Sequence, residues 1–354
     1  MIRLFRASRF RCLDQVEMTL GPQFNLISGA NASGKTSILE ALAYLGRGKS
    51  FRGASTANLT QHGKDDFVLF GETEQAEGRL NIGVRNGREG MEVRVGGENA
   101  SSAAALAEAL PLQVIDPEIH NLIAGGPEQR RRFLDWVAFH VEHEHLSSWR
   151  RFRRALKQRN AALKAKSSAA TIRSWNAEFL DLALQLDASR RRVLELTVDS
   201  LQEYGQALLE TELQFEYQQG WSREKSLQEA LEAGLERDQQ MGATQFGPHR
   251  ADIKVSYDER QARKLVSRGQ QKLLASAMIL AATETAQSAL EKPLLLLLDD
   301  PAAELDKDSI ERLMAAVCGL GCQVVATSLD PDGLVFSAQP LMFHVEQGSV
   351  TASA

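Results

Sequence analysis

The sharpest chemical signal in this chain is a run of nine residues: Gly29, Ala30, Asn31, Ala32, Ser33, Gly34, Lys35, Thr36 and Ser37. The first eight have the spacing G-x-x-x-x-G-K-[ST], that of a phosphate-binding loop. Glycines let backbone N–H groups close around phosphate oxygens. A helix that starts at the same point adds partial positive charge. In such a loop Lys35 reaches the β- and γ-phosphates of a nucleotide, and the Thr36 hydroxyl holds Mg²⁺. The motif requires a strand before it and a helix behind it. Phe24-Asn25-Leu26-Ile27 is apolar and short enough for the strand, and residues 36–44 are good helix formers. An ordinary glycine turn before a helix is the bland alternative, and the agreement of strand, spacing and helix argues against it.

Two further clusters carry chemistry. Leucines 294–298 run into Asp299 and Asp300. That pattern describes a strand buried on both faces with carboxylates at its C-terminal end. Beside a phosphate loop, Asp299 is expected to hold Mg²⁺ through its water and Asp300 to polarise the attacking water. The third cluster is Ser267, Arg268, Gly269, Gln270, Gln271 and Lys272, ahead of a long alanine-rich run. Serine is a good N-cap, and a helix N-terminus is a ready anion site. Alone this is a capped helix. Its place shortly before the paired acids gives the order of an ABC-type ATPase.

These clusters need a scaffold. The chain has 354 residues, enough for about two domains or one with a large insertion. Short alternating segments at 2–5, 16–20, 67–70, 80–84 and 91–95 read as strands, with hairpin turns at Asn86-Gly87 and Gly96-Gly97. From about 127 to 237 glycine nearly vanishes and apolar residues recur at helical spacing, which predicts two or three helices of ordinary length. Strands return at 253–257, 293–298 and 322–326. The expected fold is α/β: an ABC/SMC-like head of mixed sheet and flanking helices, built from 1–125 and 244–354, with an inserted α-helical lobe over 126–243. That lobe is too short for a long antiparallel coiled coil and lacks a sustained heptad.

Composition narrows the classes. Hydrophobic residues are 43% and charged ones 25%, as in globular proteins. The net charge of −5 gives no global sign of nucleic-acid binding, so any DNA contact must be local. Cys12, Cys318 and Cys322 form no C-x-x-C pair, which argues for reduced thiols rather than zinc. The N-terminus is too polar for a signal peptide and the run 294–298 too short to span a bilayer. A cytoplasmic protein with no membrane partner is expected. One local asymmetry stands out: residues 147–173 contain Arg150, Arg151, Arg153, Arg154, Lys157, Arg159, Lys164, Lys166 and Arg173 with no acid between them. Arg130, Arg131 and Arg132 add another basic turn. Such residues suit sequence-independent phosphate binding, and equally suit a solvated helical face. His143 and His145 fall on different helix faces, and the four tryptophans read as packing anchors.

The motifs together resemble the RecF family, relatives of the SMC and ABC ATPases, over essentially the whole length. Matching blocks are Phe10-Arg11, Leu39-Glu40-Ala41, residues 48–52, 115–118 and 126–135, Gly247-Pro248-His249-Arg250, the signature at 267–272, and 299–306. Ala32 replaces a frequent glycine. Thr327 falls where ABC transporters carry a switch histidine, and Asp300 where they carry a glutamate. The resemblance implies that Ser267, Gly269 and Gln270 contact ATP held by a second copy, with Glu304 and Asp306 of the D-loop in that interface. It implies ATP-driven dimerisation and weak, DNA-stimulated ATP hydrolysis. It implies binding to single- and double-stranded DNA at gaps, with Arg130, Arg131, Arg150, Arg151, Arg153 and Arg154 as contacts. It further implies that, with RecR and RecO, the protein loads RecA in gap repair and the SOS response. A transporter subunit would need the glutamate and histidine that are missing. A nuclease of the same ATPase class would need an appended metal-binding domain, which is not expected in 354 residues. A non-enzymatic DNA-binding protein is disfavoured by intact Lys35, Thr36 and Asp299.

Overall fold

The computed structural model describes residues 1–75, 78–257, 260–262 and 267–353. The chain folds into two compact units, one made of Met1–Ile119 with Glu291–Ala354 and the other of His120–Leu290. The first unit begins with β1 (Ile2–Phe10), β2 (Leu13–Thr19) and β3 (Phe24–Ser28), then helix α1 (Lys35–Arg47). It continues with β4 (Asp66–Gln75), β5 (Gly78–Gly87), β6 (Gly90–Val95), β7 (Glu98–Asn99) and β8 (Leu112–Ile115). The second unit contains α2 (Pro127–Val141), α3 (His145–Lys164) and α4 (Asn176–Leu209), then β9 (Leu213–Gln218), β10 (Asp252–Tyr257), β11 (Arg260–Gln261) and α5 (Arg268–Leu290). The chain then returns to the first unit with β12 (Leu295–Leu298), α6 (Lys307–Gly319), β13 (Gln323–Ser328), β14 (Leu341–Glu346) and β15 (Ser349–Ser353).

The first unit holds two sheets. One is antiparallel, in the order β2-β1-β4-β5-β6-β7. Its β6–β7 turn places Gly96 and Gly97 at φ 63° and 87°, the conformation that a two-residue hairpin requires. The other sheet has the order β15-β14-β3-β13-β12-β8, parallel throughout except for β15. Helix α1 contacts strands of both sheets, so one apolar core gathers Phe5, Phe10, Ile27, Ile38, Leu42, Phe67, Leu297, Val325 and Phe343. Phe10 and Tyr44 meet the Phe67 ring edge-on at 5.0 and 5.2 Å. All four leucines of β12 are buried, as a central parallel strand demands.

The second unit departs from expectation in two ways. Helix α4 runs for 34 residues, about 50 Å, well beyond ordinary length. Residues 244–290 also belong with the helical unit rather than with the head, because α5 packs along α4 and α2. Helix α5 is 23 residues long and apolar enough to match a bilayer, but 67% of its most apolar stretch is buried within the protein, as in a core helix.

Buried ion pairs tie the helical unit together. Arg159 and Asp238 are both fully buried, with Nη1 donating to Asp238 Oδ2 at 2.7 Å and to Thr244 Oγ1 at 2.7 Å. Arg159 Nε donates to Asn176 Oδ1 at 3.0 Å. Removing one partner leaves a buried charge uncompensated. Asp238→Ala is therefore expected to lower the unfolding free energy of this unit by about 3–5 kcal/mol in urea titrations, with the double change Arg159→Met, Asp238→Leu recovering most of that loss.

Candidate nucleotide-binding site

The loop from Gly29 to Gly34 joins the end of β3 to the start of α1, the context its spacing calls for. Gly29 has φ 150°, and a Cβ there would lie 2.3 Å from the Val345 carbonyl oxygen, so only glycine fits. Gly34 has φ 117° and caps α1 without a side-chain hydrogen bond, leaving the first-turn amides without a side-chain partner. The Gly348 amide donates to the Ser33 carbonyl at 2.8 Å, which seats the loop on the β14–β15 turn. Ser33 Oγ is buried with no hydrogen-bond partner among the described residues. Ala32 takes φ 62°, a left-handed conformation that costs a non-glycine residue about 1–2 kcal/mol.

Four segments converge behind the loop. Parallel pairing of β3 with β13, and of β13 with β12, brings their C-terminal ends to one edge. Asp299, directly after β12, is buried. Thr36 Oγ1 from α1 and Thr327 Oγ1 from β13 both donate to its Oδ1 at 2.9 Å. The Asp300 amide donates to Thr327 Oγ1 at 2.9 Å, and Asp300 itself adopts φ 45°. Burial pushes the Asp299 carboxyl above its ordinary pKa, and the hydroxyls of Thr36 and Thr327 oppose that shift. Lys35 Nζ donates to the carbonyls of Gly29 and Ala30 at 2.7 and 2.9 Å. Burial lowers the Lys35 pKa, against the pull of Asp300 and Asp299. The structure thus gathers Lys35, Thr36, Asp299, Asp300 and Thr327.

Family blocks that are distant in sequence meet beside this site. Arg11 makes a two-pronged pair with the fully buried Glu40 through Nε and Nη2, each at 2.9 Å, and Ser50 Oγ also donates to Glu40. This fixes the β1–β2 turn against α1. Asp116 is a residue that sequence reasoning missed as chemistry. It follows β8, whose Ile115 pairs with Leu298, so Asp116 stands next to Asp299 across the sheet edge. Its signal was available in the block at 115–118, but only the strand register shows its neighbour.

The remaining site residues belong to other elements. Ser267 caps α5: its amide donates to Gln270 Oε1 at 2.9 Å, and its Oγ accepts from the Gln270 amide at 3.3 Å. Gly269 sits in the first turn of that helix. Asp306 caps α6 by accepting from the Ser309 amide at 2.8 Å, and Glu304 is exposed with φ 66°. Of the arginines expected at DNA, Arg150, Arg151, Arg153 and Arg154 are exposed on α3. Arg130 is not available to a phosphate. It is buried, paired with Asp252 through Nε at 2.7 Å, and its Nη1 donates to the carbonyls of Leu122, Ile123 and Gly125. Arg131 donates to the Ala251 carbonyl at 2.7 Å. Arg159, also in the basic run, is the buried partner of Asp238.

Burial, reinforced by Asp299, pushes the Asp116 carboxyl up to about 6, against the Glu118 amide and Arg47. The folded protein then keeps this proton to higher pH than the unfolded chain, so stability falls as pH rises from about 4 to about 6 and the penalty is complete above that. Asp116→Asn is expected to raise stability at pH 7 by up to about 3 kcal/mol and to flatten the pH 4–6 slope in thermal unfolding.

Known proteins match this arrangement. The family model for the RecF/RecN/SMC N-terminal domain covers residues 1–351. The "DNA replication and repair protein RecF" of Pseudomonas fluorescens is 38% identical over 349 residues, covering 96% of this chain and 95% of that protein. That of Edwardsiella ictaluri is 39% identical over 346 residues, covering 96% and 97%. Among solved structures, the recombination mediator RecF with ATP in the RecFOR pathway superposes with a TM-score of 0.88 at 23% identity, covering all of this chain and 97% of that one. An Smc head bound to the winged-helix domain of ScpA has a TM-score of 0.61 at 15% identity, covering 99% of this chain and 96% of that one. A phosphate loop, a buried acid at a parallel strand end and end-to-end similarity to curated relatives lead to one assignment: this chain belongs to the RecF family of SMC-like ATPases.

Proposed function

We propose that the protein is a cytoplasmic, weakly hydrolytic ATPase that binds gapped DNA as an ATP-dependent dimer and, with RecR and RecO, promotes RecA loading. The carrying observation is the Asp299 carboxylate held by Thr36 and Thr327 directly behind the glycine loop. Thr36 Oγ1 and Asp299 Oδ1 are hard oxygens 2.9 Å apart, a donor set that fits magnesium, which takes few protein ligands and fills its shell with water and phosphate. When bound, that ion neutralises charge on the β- and γ-phosphates. The Lys35 ammonium, now on two loop carbonyls, reaches phosphate oxygens by a small swing of its side chain. Asp300 orients the attacking water and accepts its proton. Thr327 holds the Asp300 amide, and so fixes the backbone from which that carboxylate projects.

The signature residues Ser267, Gly269 and Gln270 act on ATP bound by the loop of a second copy. Their support is the reciprocal serine–glutamine cap, which presents the N-terminus of a 23-residue helix to an anion. Glu304 and Asp306 lie in the same proposed interface. DNA is met by the exposed arginines of α3, among which Arg151 and Arg154 have no ion-pair partner among the described residues. Binding of that kind follows backbone charge and strand structure rather than sequence.

In light scattering with ATP, Ser267→Arg is expected to keep the nucleotide binding of a single copy and to remain monomeric, so an ATP-dependent dimer in that variant would refute the action in trans. Lys35→Met is expected to lose about 10- to 100-fold in ATP affinity, the worth of a charge-assisted hydrogen bond, and to lose ATP-dependent co-sedimentation with gapped DNA.

A further inference from the structure

The block Gly247-Pro248-His249-Arg250 has no part in the nucleotide chemistry, yet the helical unit builds it with care. Residues Pro248–Arg250 form a single 3₁₀ turn. The buried Arg190 clamps Asp135 with two hydrogen bonds and donates from Nη1 to the Pro248 carbonyl at 2.6 Å. His249 Nε2 lies 2.9 Å from the Thr244 carbonyl oxygen, and burial pushes its pKa down to about 4, so the ring stays neutral. A Cβ on Gly220 would lie 2.3 Å from the Gly247 carbonyl oxygen, so the two glycine segments are in backbone contact. All of this fixes a turn whose last residue, Arg250, is exposed.

Arg250 lines a cavity of about 340 Å³ together with Trp221, Arg223, Gln218, Gly220 and Glu216. Glu216 is committed to Arg223 at 3.2 Å and to Lys254 at 3.8 Å. Arg250 touches the Gln245 side chain and has no carboxylate partner among the described residues. Trp221 is half-buried and packs on the same apolar cluster as Trp149, whose ring carries the Arg153 guanidinium at 4.8 Å. Trp221 and the Trp149 ring that carries Arg153 thus flank one apolar cluster. The cavity offers the half-buried indole for stacking, a guanidinium that no carboxylate neutralises for a phosphate, and the Gln218 amide for a base edge.

We propose that this cavity seats one nucleotide of a single strand, with its base against Trp221 and its phosphate on Arg250. The proposal rests on the DNA-binding reading above and adds to it a place for the unpaired arm of a gap. Aromatic stacking is tolerant of base identity, so the site takes any strand of suitable length.

The test is fluorescence anisotropy on the full chain with three probes: oligothymidylate, a blunt duplex, and that duplex carrying an oligothymidylate arm. Trp221→Leu and Arg250→Gln are each expected to weaken binding to the thymidylate and armed probes about tenfold, with the blunt duplex unchanged. Trp221→Phe is expected to restore most of the loss. Because Trp221 also packs internally, Arg250→Gln, a change at an exposed residue, carries the result if the leucine variant unfolds. Equal binding of wild type and Arg250→Gln to every probe overturns the subsite and leaves the DNA reading intact. A uniform loss on all three probes overturns it as well. Failure of the wild type to bind any probe removes both. Competition by free thymidine monophosphate, with no variant effect on the strands, would place a free nucleotide here and overturn the strand assignment.

Discussion

A buried carboxylate shared between two hydroxyls from separate segments is the constraint on which the head depends. Asp299 sits at the end of a strand of leucines in the middle of a parallel sheet, where an isolated negative charge is costly. Thr36 and Thr327 both donate to its Oδ1. Those bonds exist only because β13 lies between β3 and β12 in parallel register, with all three strands ending at one edge. The same register puts Asp116 beside Asp299 and holds the Asp300 amide on Thr327. A slip of one residue in β13 would turn Thr327 to the other face and strand the acid.

Much of this was legible in the sequence because it is local. The loop glycines, the leucine run into paired acids and the serine ahead of an alanine-rich helix each announce a strand end or a helix start, and the structure has those elements where the patterns put them. What escaped is non-local. Arg130 and Arg159 look, residue by residue, like Arg150 and Arg151. What separates them is a partner 122 or 79 residues further along the chain, Asp252 or Asp238, and no run of basic residues discloses that. Asp116 was read as part of a block rather than as a neighbour of Asp299, because adjacency across a parallel sheet is a fact of register. The placement of residues 244–290 was likewise hidden: α5 is apolar almost all round, so its composition does not say which helices it packs against.

The helical unit uses arginine as a scaffold. Arg130, Arg159 and Arg190 are each buried, each paired with an aspartate, and each given further acceptors on backbone or side-chain oxygens. Such pairs contribute little net stability, since desolvation offsets most of the attraction. They do fix geometry, because a guanidinium has five donors in a rigid plane. Three planes of that kind tie α2 to Asp252 of β10, α3 to Asp238 and Thr244, and α4 to Asp135 of α2 and the Pro248 turn. The exposed arginines of α3 and the turn at Arg250 are thereby presented from a stiff frame, which suits recognition of a phosphate backbone by shape.

Mass action sets what nucleotide can do in the proposed dimer. A ligand present in excess that binds the closed pair a hundredfold more tightly than the free copy stabilises the pair by RT ln 100, about 2.7 kcal/mol for each site. Two nucleotides per dimer double that to about 5 kcal/mol, enough to shift an equilibrium by nearly 10⁴-fold. An unremarkable ATP affinity therefore suffices to make dimerisation conditional on ATP, with no separate strong interface. Rapid hydrolysis would defeat that arrangement by dissolving the pair before a strand is engaged. Under the function proposed above, an aspartate at position 300, with one methylene less reach than a glutamate, would favour a slow step, and the resulting dwell time would suit a clamp on gapped DNA.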